Sequence, residues 1–215
     1  MIKELKPHDC TRRIMVGDVP VGGGAPVAVQ SMLNAPADDV AANLAQIEAL
    51  AEAGCEIVRM AIPRRDCLDT FEAVCAASPL PVVADIHFDA RIAIEAAARG
   101  AAKLRINPGN IGGLEATREV IAAAAASHIP IRIGVNAGSL DDAIAARQDL
   151  TLPEKLVASA TEYVRFFEDE CNFHDIAVSA KAHDVQTTID TYRLLPASVT
   201  PMCSGTSGSS AASRR

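Results

Sequence analysis

The stretch AKLRINPGNIGG, residues 102–113, joins a short run typical of a β-strand to a Pro-Gly break. Because side chains alternate across a strand, Arg105 and Asn107 share one face while Leu104 and Ile106 take the other. One face is therefore apolar and the other carries a cation and an amide. A strand of this kind predicts a polar site where the strand ends.

The pattern recurs along the chain, where β-branched runs alternate with alanine-rich helical stretches. This rhythm favours a parallel sheet built from βαβ units. Two helices have clear boundary signals: an Asp N-cap and Gly54 bound the helix within residues 37–54, and Pro153 lies in the first turn of the helix within residues 152–170. Six strands are predicted, at residues 26–32, 56–62, 80–88, 102–108, 129–136 and 175–181.

The placement of polar residues decides between two α/β architectures. No strand opens into a G-x-G-x-x-G loop, and polar side chains lie near the C-terminal end of every strand. This favours a TIM-type (β/α) barrel over a doubly wound sheet, with about six of the eight βα units present. Residues 12–24, RRIMVGDVPVGGG, predict an N-terminal β-hairpin that either closes the bottom of the barrel or packs beside it.

Composition excludes several classes of protein. The chain has 215 residues and a formal net charge of -7, which suggests one domain and argues against nucleic-acid binding. It has no apolar run near the ~20 residues of a membrane span, so we expect no membrane segment and a cytoplasmic location. The six cysteines form no C-x-x-C pair, so we expect buried or idle thiols and no metal site.

The polar residues share one face by the i, i+2 rule. Taken alone, each is explained as a surface charge or a satisfied core group, and for His87 that explanation is preferred. Together, four cations beside the single carboxylate of Asp85 would repel one another, so the pattern predicts a phosphorylated or diphosphorylated ligand. The residues predicted on this face are Ser31, Arg59, Asp85, His87, Arg105, Asn107, Arg132, Asn136, Ser179 and Lys181.

Five segments carry a family resemblance: VPVGGGAPVAVQSM, VADIHFDARIA, LRINPGNIG, IPIRIGVNAGSL and NFHDIAVSAKAHDV. In this order and spacing they closely resemble the barrel domain of the 4-hydroxy-3-methylbut-2-enyl diphosphate synthases, over residues 11–195. The resemblance implies that the substrate is 2-C-methyl-D-erythritol 2,4-cyclodiphosphate, whose ring is opened by a two-electron reductive dehydration in the non-mevalonate route to isoprenoids. It also implies a homodimer that takes electrons from flavodoxin or ferredoxin.

The resemblance further implies roles for individual residues. Catalytic roles near the reacting end fall to Asp85, His87 and Asn136. Contacts to the substrate or its diphosphate fall to Arg59, Arg105, Asn107, Arg132, Ser179 and Lys181. Two alternatives stay open: a pterin-binding barrel enzyme of the dihydropteroate synthase type, and a non-catalytic binder of an anionic metabolite.

Some features depart from the family pattern. The 4Fe-4S iron–sulfur cluster of the family is held by three cysteines and a glutamate in a C-terminal domain, and we expect those ligands to be missing from this chain. Leu33 and Ala35 stand where relatives usually have threonines, which weakens the case for Ser31, and Ala61 and Arg64 replace a more polar segment. We expect residues 1–195 to form a partial barrel that binds substrate and residues 196–215 a disordered Ser/Gly-rich tail. The chain is then expected to be a truncated, inactive form.

Overall fold

Strands and helices alternate through residues 11–199, the part of the chain that the computed structural model describes. The strands are β1 (Ile14–Val16), β2 (Val19–Val21), β3 (Gln30–Met32), β4 (Ile57–Ala61), β5 (Val82–Asp85), β6 (Lys103–Ile106), β7 (Ile131–Asn136) and β8 (Ile176–Lys181). The α-helices are α1 (Val40–Glu52), α2 (Leu68–Ala77), α3 (Ala90–Ala98), α4 (Gly113–Ala126), α5 (Asp142–Ala145), α6 (Leu152–Arg165) and α7 (Val185–Val199).

The main sheet is a half-barrel. Strands β3 to β8 pair in chain order as one parallel, six-stranded sheet, and β1 pairs with β2 in a separate antiparallel hairpin. Each of the six strands lies within one of the predicted segments, so the incomplete TIM-type barrel with an N-terminal hairpin is confirmed. The strands are shorter than predicted at β3 and β5 because chain pairing, rather than local composition, sets where a strand ends.

The outer face of the sheet forms the main core. Val58, Leu104 and Ile133 are completely buried on this face, in one cluster with Phe71 of α2 and Leu156 of α6. Burying one such side chain stabilises the fold by about 1.5 to 3 kcal/mol. The helices therefore hold the sheet from outside and leave the opposite face free for polar groups.

The hairpin covers the amino-terminal end of the inner face. Val16 of β1 packs on Ile57 and Val83, both completely or almost completely buried, in a second cluster that Val19 and Ala102 flank. Ile57 and Val83 each lie two residues before a charged residue of the same strand, Arg59 and Asp85, so they share its face. Of the two placements left open by the sequence, the hairpin takes the one at the bottom of the barrel.

The ends of helices α1 and α6 carry capping residues, and those of α1 were predicted from the sequence. Asp39 is the N-cap of α1, where its Oδ1 accepts a hydrogen bond of 2.9 Å from the backbone N–H of Ala42. Gly54 follows the end of that helix with φ +88°. Thr151 and Glu154 form a capping box at the start of α6.

The carboxyl end of the described region is helical. Helix α7 contains Pro196 and runs to Val199, so it includes the first four residues of the segment 196–215 that was expected as a tail. The rest of that segment, together with His8, Cys10 and Cys203, lies outside the described residues. Within residues 11–199, no helix has the length and apolar character needed to cross a membrane.

We predict that Gly17→Ala lowers the free energy of unfolding by about 1 to 3 kcal/mol. Gly17 has φ +60°, and a Cβ there would lie 2.9 Å from Cβ of Pro81. The matched control is Gly54→Ala, since Gly54 also has positive φ, +88°, but a Cβ would meet nothing within 4 Å. Urea unfolding should show the larger loss for Gly17→Ala. Equal losses would mean that the hairpin turn does not press on the barrel floor.

Candidate functional site

The carboxyl ends of neighbouring strands bring the predicted polar residues together on the inner face. Asp85 of β5 lies in register with Arg105 of β6, and Arg105 lies in register with Arg132 of β7. Register partners in a parallel sheet point to the same side. Three successive strands thus place one carboxylate and two guanidinium groups side by side.

Asp85 is the centre of the ionic contacts. Its side chain is 2% exposed, and its Oδ1 accepts a hydrogen bond of 3.1 Å from Nη1 of Arg105. Its Oδ2 lies 3.3 Å from Nε of Arg59, and Nε2 of His87 lies 3.9 Å from Oδ1. One buried carboxylate therefore serves two guanidinium groups and faces an imidazole.

The positive charge exceeds what Asp85 compensates. We call Arg59, Arg105 and Arg132 the arginine cluster. The Nε atoms of all three are buried and make no hydrogen bond to any described residue. Burial first, and then repulsion from Arg59 and Arg105, lowers the pKa of Arg132 to about 10. Buried N–H groups without acceptors are costly, so the cluster is suited to an anion that supplies oxygen acceptors.

Arg105 is held above a glycine. A Cβ at Gly134 would lie 3.2 Å from both Nε and Nη2 of Arg105. The missing side chain leaves the space that the guanidinium group occupies on β7. Gly134 of the predicted RIGVN segment therefore has a packing role beside the arginine cluster.

Lys103 is a further cation of the inner face that was not among the residues predicted from the sequence. It is 5% exposed, and its Nζ donates a hydrogen bond of 3.3 Å to Oε1 of Gln30. Lys103 precedes Arg105 by two residues, so the alternation that placed Arg105 also places Lys103 on this face. Gln30 and Met32 occupy the matching face of β3, and Nη2 of Arg59 contacts Sδ of Met32 at 2.9 Å.

The expectation that Ser31 belongs to this face is wrong. Ser31 lies between Gln30 and Met32 on β3 and in register with Val58, whose side chain belongs to the outer core. Alternation therefore points its side chain toward the helices.

Asn107 connects two loops at the top of the sheet. It is 2% exposed, its Nδ2 donates a hydrogen bond of 2.8 Å to Oγ of Ser139, and its Oδ1 accepts one of 3.2 Å from the backbone N–H of Gly109. Ser139 ends the 3-10 turn Ala137–Ser139 that follows β7. Asn107 thereby holds the loop of residues 107–110 (NPGN) against the loop of residues 136–139 (NAGS).

The remaining predicted residues line the same rim. Asn136 is in register with Lys181, and Gly134 with Ser179. Lys181 is exposed, Asn136 and Ser179 are half-buried, and the side chain of His87 is 45% exposed. These side chains have the access to solvent that contact with a ligand requires.

The described cysteines do not form a metal centre. Cys55, Cys67, Cys75 and Cys171 are free thiols, and burial raises the pKa of Cys75 to about 12. In residues 11–199, no group of three or more His, Cys, Asp or Glu side chains converges to hold a metal ion. The residues described here do not fit a 4Fe-4S cluster.

Comparison with known proteins identifies close relatives. Residues 11–206 match the family model described as the GcpE TIM-barrel domain. A 4-hydroxy-3-methylbut-2-en-1-yl diphosphate synthase (flavodoxin) from Bifidobacterium longum is 50% identical over 192 residues, which cover 89% of this chain and 47% of the relative. The synthase of that name from Vibrio vulnificus strain YJ016 is 50% identical over 183 residues, 85% of this chain and 49% of the relative. The chain thus spans about half the length of the curated relatives it matches.

Solved structures support the fold alone. A truncated 3-deoxy-D-arabino-heptulosonate 7-phosphate synthase from Thermotoga maritima has a TM-score of 0.54 and 16% identity, covering 82% of this chain and 60% of that one. The phospho-2-dehydro-3-deoxyheptonate aldolase from the same organism has a TM-score of 0.52 and 14% identity, covering 80% of this chain and 46% of that one.

Proposed function

Because this chain belongs to the family of the GcpE TIM-barrel domain, we propose that its inner face binds the cyclic diphosphate substrate of 4-hydroxy-3-methylbut-2-en-1-yl diphosphate synthase. The observation that carries the proposal is the arginine cluster, whose three buried Nε atoms make no hydrogen bond within the described residues, although Nε of Arg59 lies 3.3 Å from Oδ2 of Asp85 in an ion pair. Each phosphorus of a cyclic diphosphate carries two exposed oxygens that share a negative charge, and the planar guanidinium fork can bind such a pair through two parallel hydrogen bonds. Membership of this family argues against the alternative of a pterin-binding barrel enzyme.

The geometry supports different roles for the basic residues. Arg59 and Arg105 are held by Asp85, so they present fixed donors, whereas Arg132 has no such carboxylate among the described residues and offers its charge to the ligand. Lys181 lies exposed at the rim, where a flexible ammonium group reaches a phosphate after it arrives. Ser179, two residues earlier on the same face, adds a hydroxyl group.

We assign the residues at the reacting end by their contacts. Asp85 is committed to two guanidinium groups, so its role is to orient them and to keep the site from excess positive charge. His87 faces Asp85 with Nε2 at 3.9 Å and remains accessible, which suits it to hold or transfer a proton. We assign Asn136, half-buried and in register with Lys181, to hydrogen-bond an oxygen of the carbon chain of the ligand. The buried amide of Asn107 supports the loops instead of reaching the ligand.

The proposed reaction consumes two electrons and two protons, opens the diphosphate ring at a carbon–oxygen bond and releases one water. In the family an iron–sulfur cluster supplies the electrons, with flavodoxin or ferredoxin as donor, in a homodimer. Residues 11–199 hold no ligand set for that cluster. They are assigned to capture and orientation of the substrate.

Calorimetric titration of this chain with 2-C-methyl-D-erythritol 2,4-cyclodiphosphate tests the proposal. We expect saturable binding at one site that weakens as salt is added, since charge pairing dominates the contact. The matched control ligand is the uncharged parent alcohol, 2-C-methyl-D-erythritol, which should not bind. Absence of binding by the cyclic diphosphate would exclude the proposed function. Equally tight binding of inorganic pyrophosphate would instead favour a non-catalytic binder of anions.

A further inference from the structure

Lys103 crosses the concave face below the arginine cluster. Its side chain starts on β6, the fourth strand of the sheet, and its Nζ reaches Gln30 on β3, the first strand, at 3.3 Å. The residue in register with it on β5 is Val83, which belongs to the apolar cluster that the sheet forms with the hairpin. Lys103 therefore lies between an apolar floor and a layer of cations.

This ammonium group has few compensating contacts. Its hydrogen bond to the neutral Gln30 amide is the only one it makes within the described residues, although it has three N–H donors. Asp85, the carboxylate of this face, is already engaged by Arg59 and Arg105. Burial first, and then repulsion from Arg132 and Arg59, lowers the pKa of Lys103 to about 8. The charged and polar groups that face it from the surrounding strands are Gln30, Arg59, Asp85, Arg105 and Arg132.

We propose that Lys103 is a positioning residue that becomes fully protonated when the diphosphate binds, so that substrate binding and proton uptake are coupled. The inference rests on the proposed function and adds a coupling to it. A bound dianion neutralises the arginine cluster and removes the repulsion that acts on Lys103. The ammonium form is then favoured, and it in turn strengthens the field that holds the anion from below.

The coupling has a defined sign. With a pKa of about 8, roughly half of the Lys103 groups are neutral at pH 8 in the free chain. Binding that restores the ammonium form should take up about half a proton per ligand at that pH. By linkage, the binding constant should fall about tenfold between pH 7 and pH 9. Each phosphorus of the cyclic diphosphate carries one strongly acidic oxygen, so the ligand itself does not titrate in this range.

The test is calorimetry with the cyclic diphosphate at pH 8 in Tris and in HEPES, whose different ionisation enthalpies reveal the protons taken up. We expect uptake by the wild-type chain and by Lys155→Met, a matched control whose lysine contacts the carbonyl oxygen of Ala145 on the outer helices. Lys103→Met and Lys103→Arg should bind without uptake and with less than a twofold change between pH 7 and pH 9. Binding by the wild type without proton uptake would overturn this inference and leave the proposed function intact. Absence of binding would overturn both.

A measurement without ligand tests the same group. The unfolded chain, in which lysine has its ordinary pKa of about 10.5, binds more protons than the folded chain between pH 8 and pH 10. Relative to Lys103→Met, the folding equilibrium of the wild type should therefore improve about fortyfold as the pH rises across that window. Comparison with the variant removes the opposite contribution of Cys75, whose raised pKa lowers stability at high pH. A constant difference in urea unfolding would overturn the inference.

Discussion

Arg132→Met should weaken binding of the cyclic diphosphate by about 2 to 5 kcal/mol, which raises Kd about 30- to 5,000-fold. The guanidinium group of Arg132 is partly buried, and its Nε has no acceptor among the described residues. A charge pair formed in such a desolvated place is much stronger than one at the surface.

The same substitution should not destabilise the free chain. Arg132 is repelled by Arg59 and Arg105, and methionine fills similar volume without charge. We expect a free energy of unfolding equal to that of the wild type or about 1 kcal/mol higher. Affinity and stability then change in opposite directions, which a loss of structure would not produce.

Calorimetry and urea unfolding measure the two effects. The control is Arg118→Met, because Arg118 contacts Glu170 and stacks on Phe166 on the outer layer. It should bind the ligand as the wild type does. A strong loss of stability in Arg132→Met with unchanged affinity would show that this arginine is structural.

Asp85→Asn should lower the free energy of unfolding by about 3 to 5 kcal/mol. The asparagine keeps the shape and one oxygen acceptor but removes the charge that compensates Arg59 and Arg105. Buried cations without a counter-charge are among the most destabilising defects in a protein.

Urea unfolding at pH 7 measures this loss, and added cyclic diphosphate should recover part of it because the ligand replaces the missing charge. Asp149→Asn is the matched control, since Asp149 forms an exposed pair with Arg147 at 2.6 Å and 2.7 Å. Its effect should be far smaller than that of Asp85→Asn, because solvent screens an exposed ion pair. Similar losses in the two variants would mean that the Asp85 contacts are as weak as surface ion pairs.

Strand alternation accounts for what the sequence predicted well. A period of two residues fixes which side chains share a face, so Arg105, Arg132 and Asp85 could be grouped without coordinates. The same rule includes Lys103, but a lysine at the start of a strand is usually exposed, and only its contact with Gln30 across the sheet shows that it is buried. The error at Ser31 arose because register with β4, rather than residue type, decides that Gln30 and Met32 face inward.

Contacts between distant segments were beyond local patterns. The two arginines that share Asp85 come from different strands, 26 residues before it and 20 residues after it along the chain. The hydrogen bond from Asn107 to Ser139 depends on a 3-10 turn that forms only after β7 ends. Such pairings depend on the register between neighbouring strands, which composition does not specify.

The hairpin at the amino-terminal end of the strands limits how deeply a ligand can enter the inner face. Val16, Ile57 and Val83 form a buried apolar cluster at the amino-terminal end of the strands, which blocks passage of a ligand in that direction. Charged groups of a ligand therefore meet the arginine cluster before they could reach these apolar side chains. Three aliphatic side chains thus set the lower limit of the ligand site.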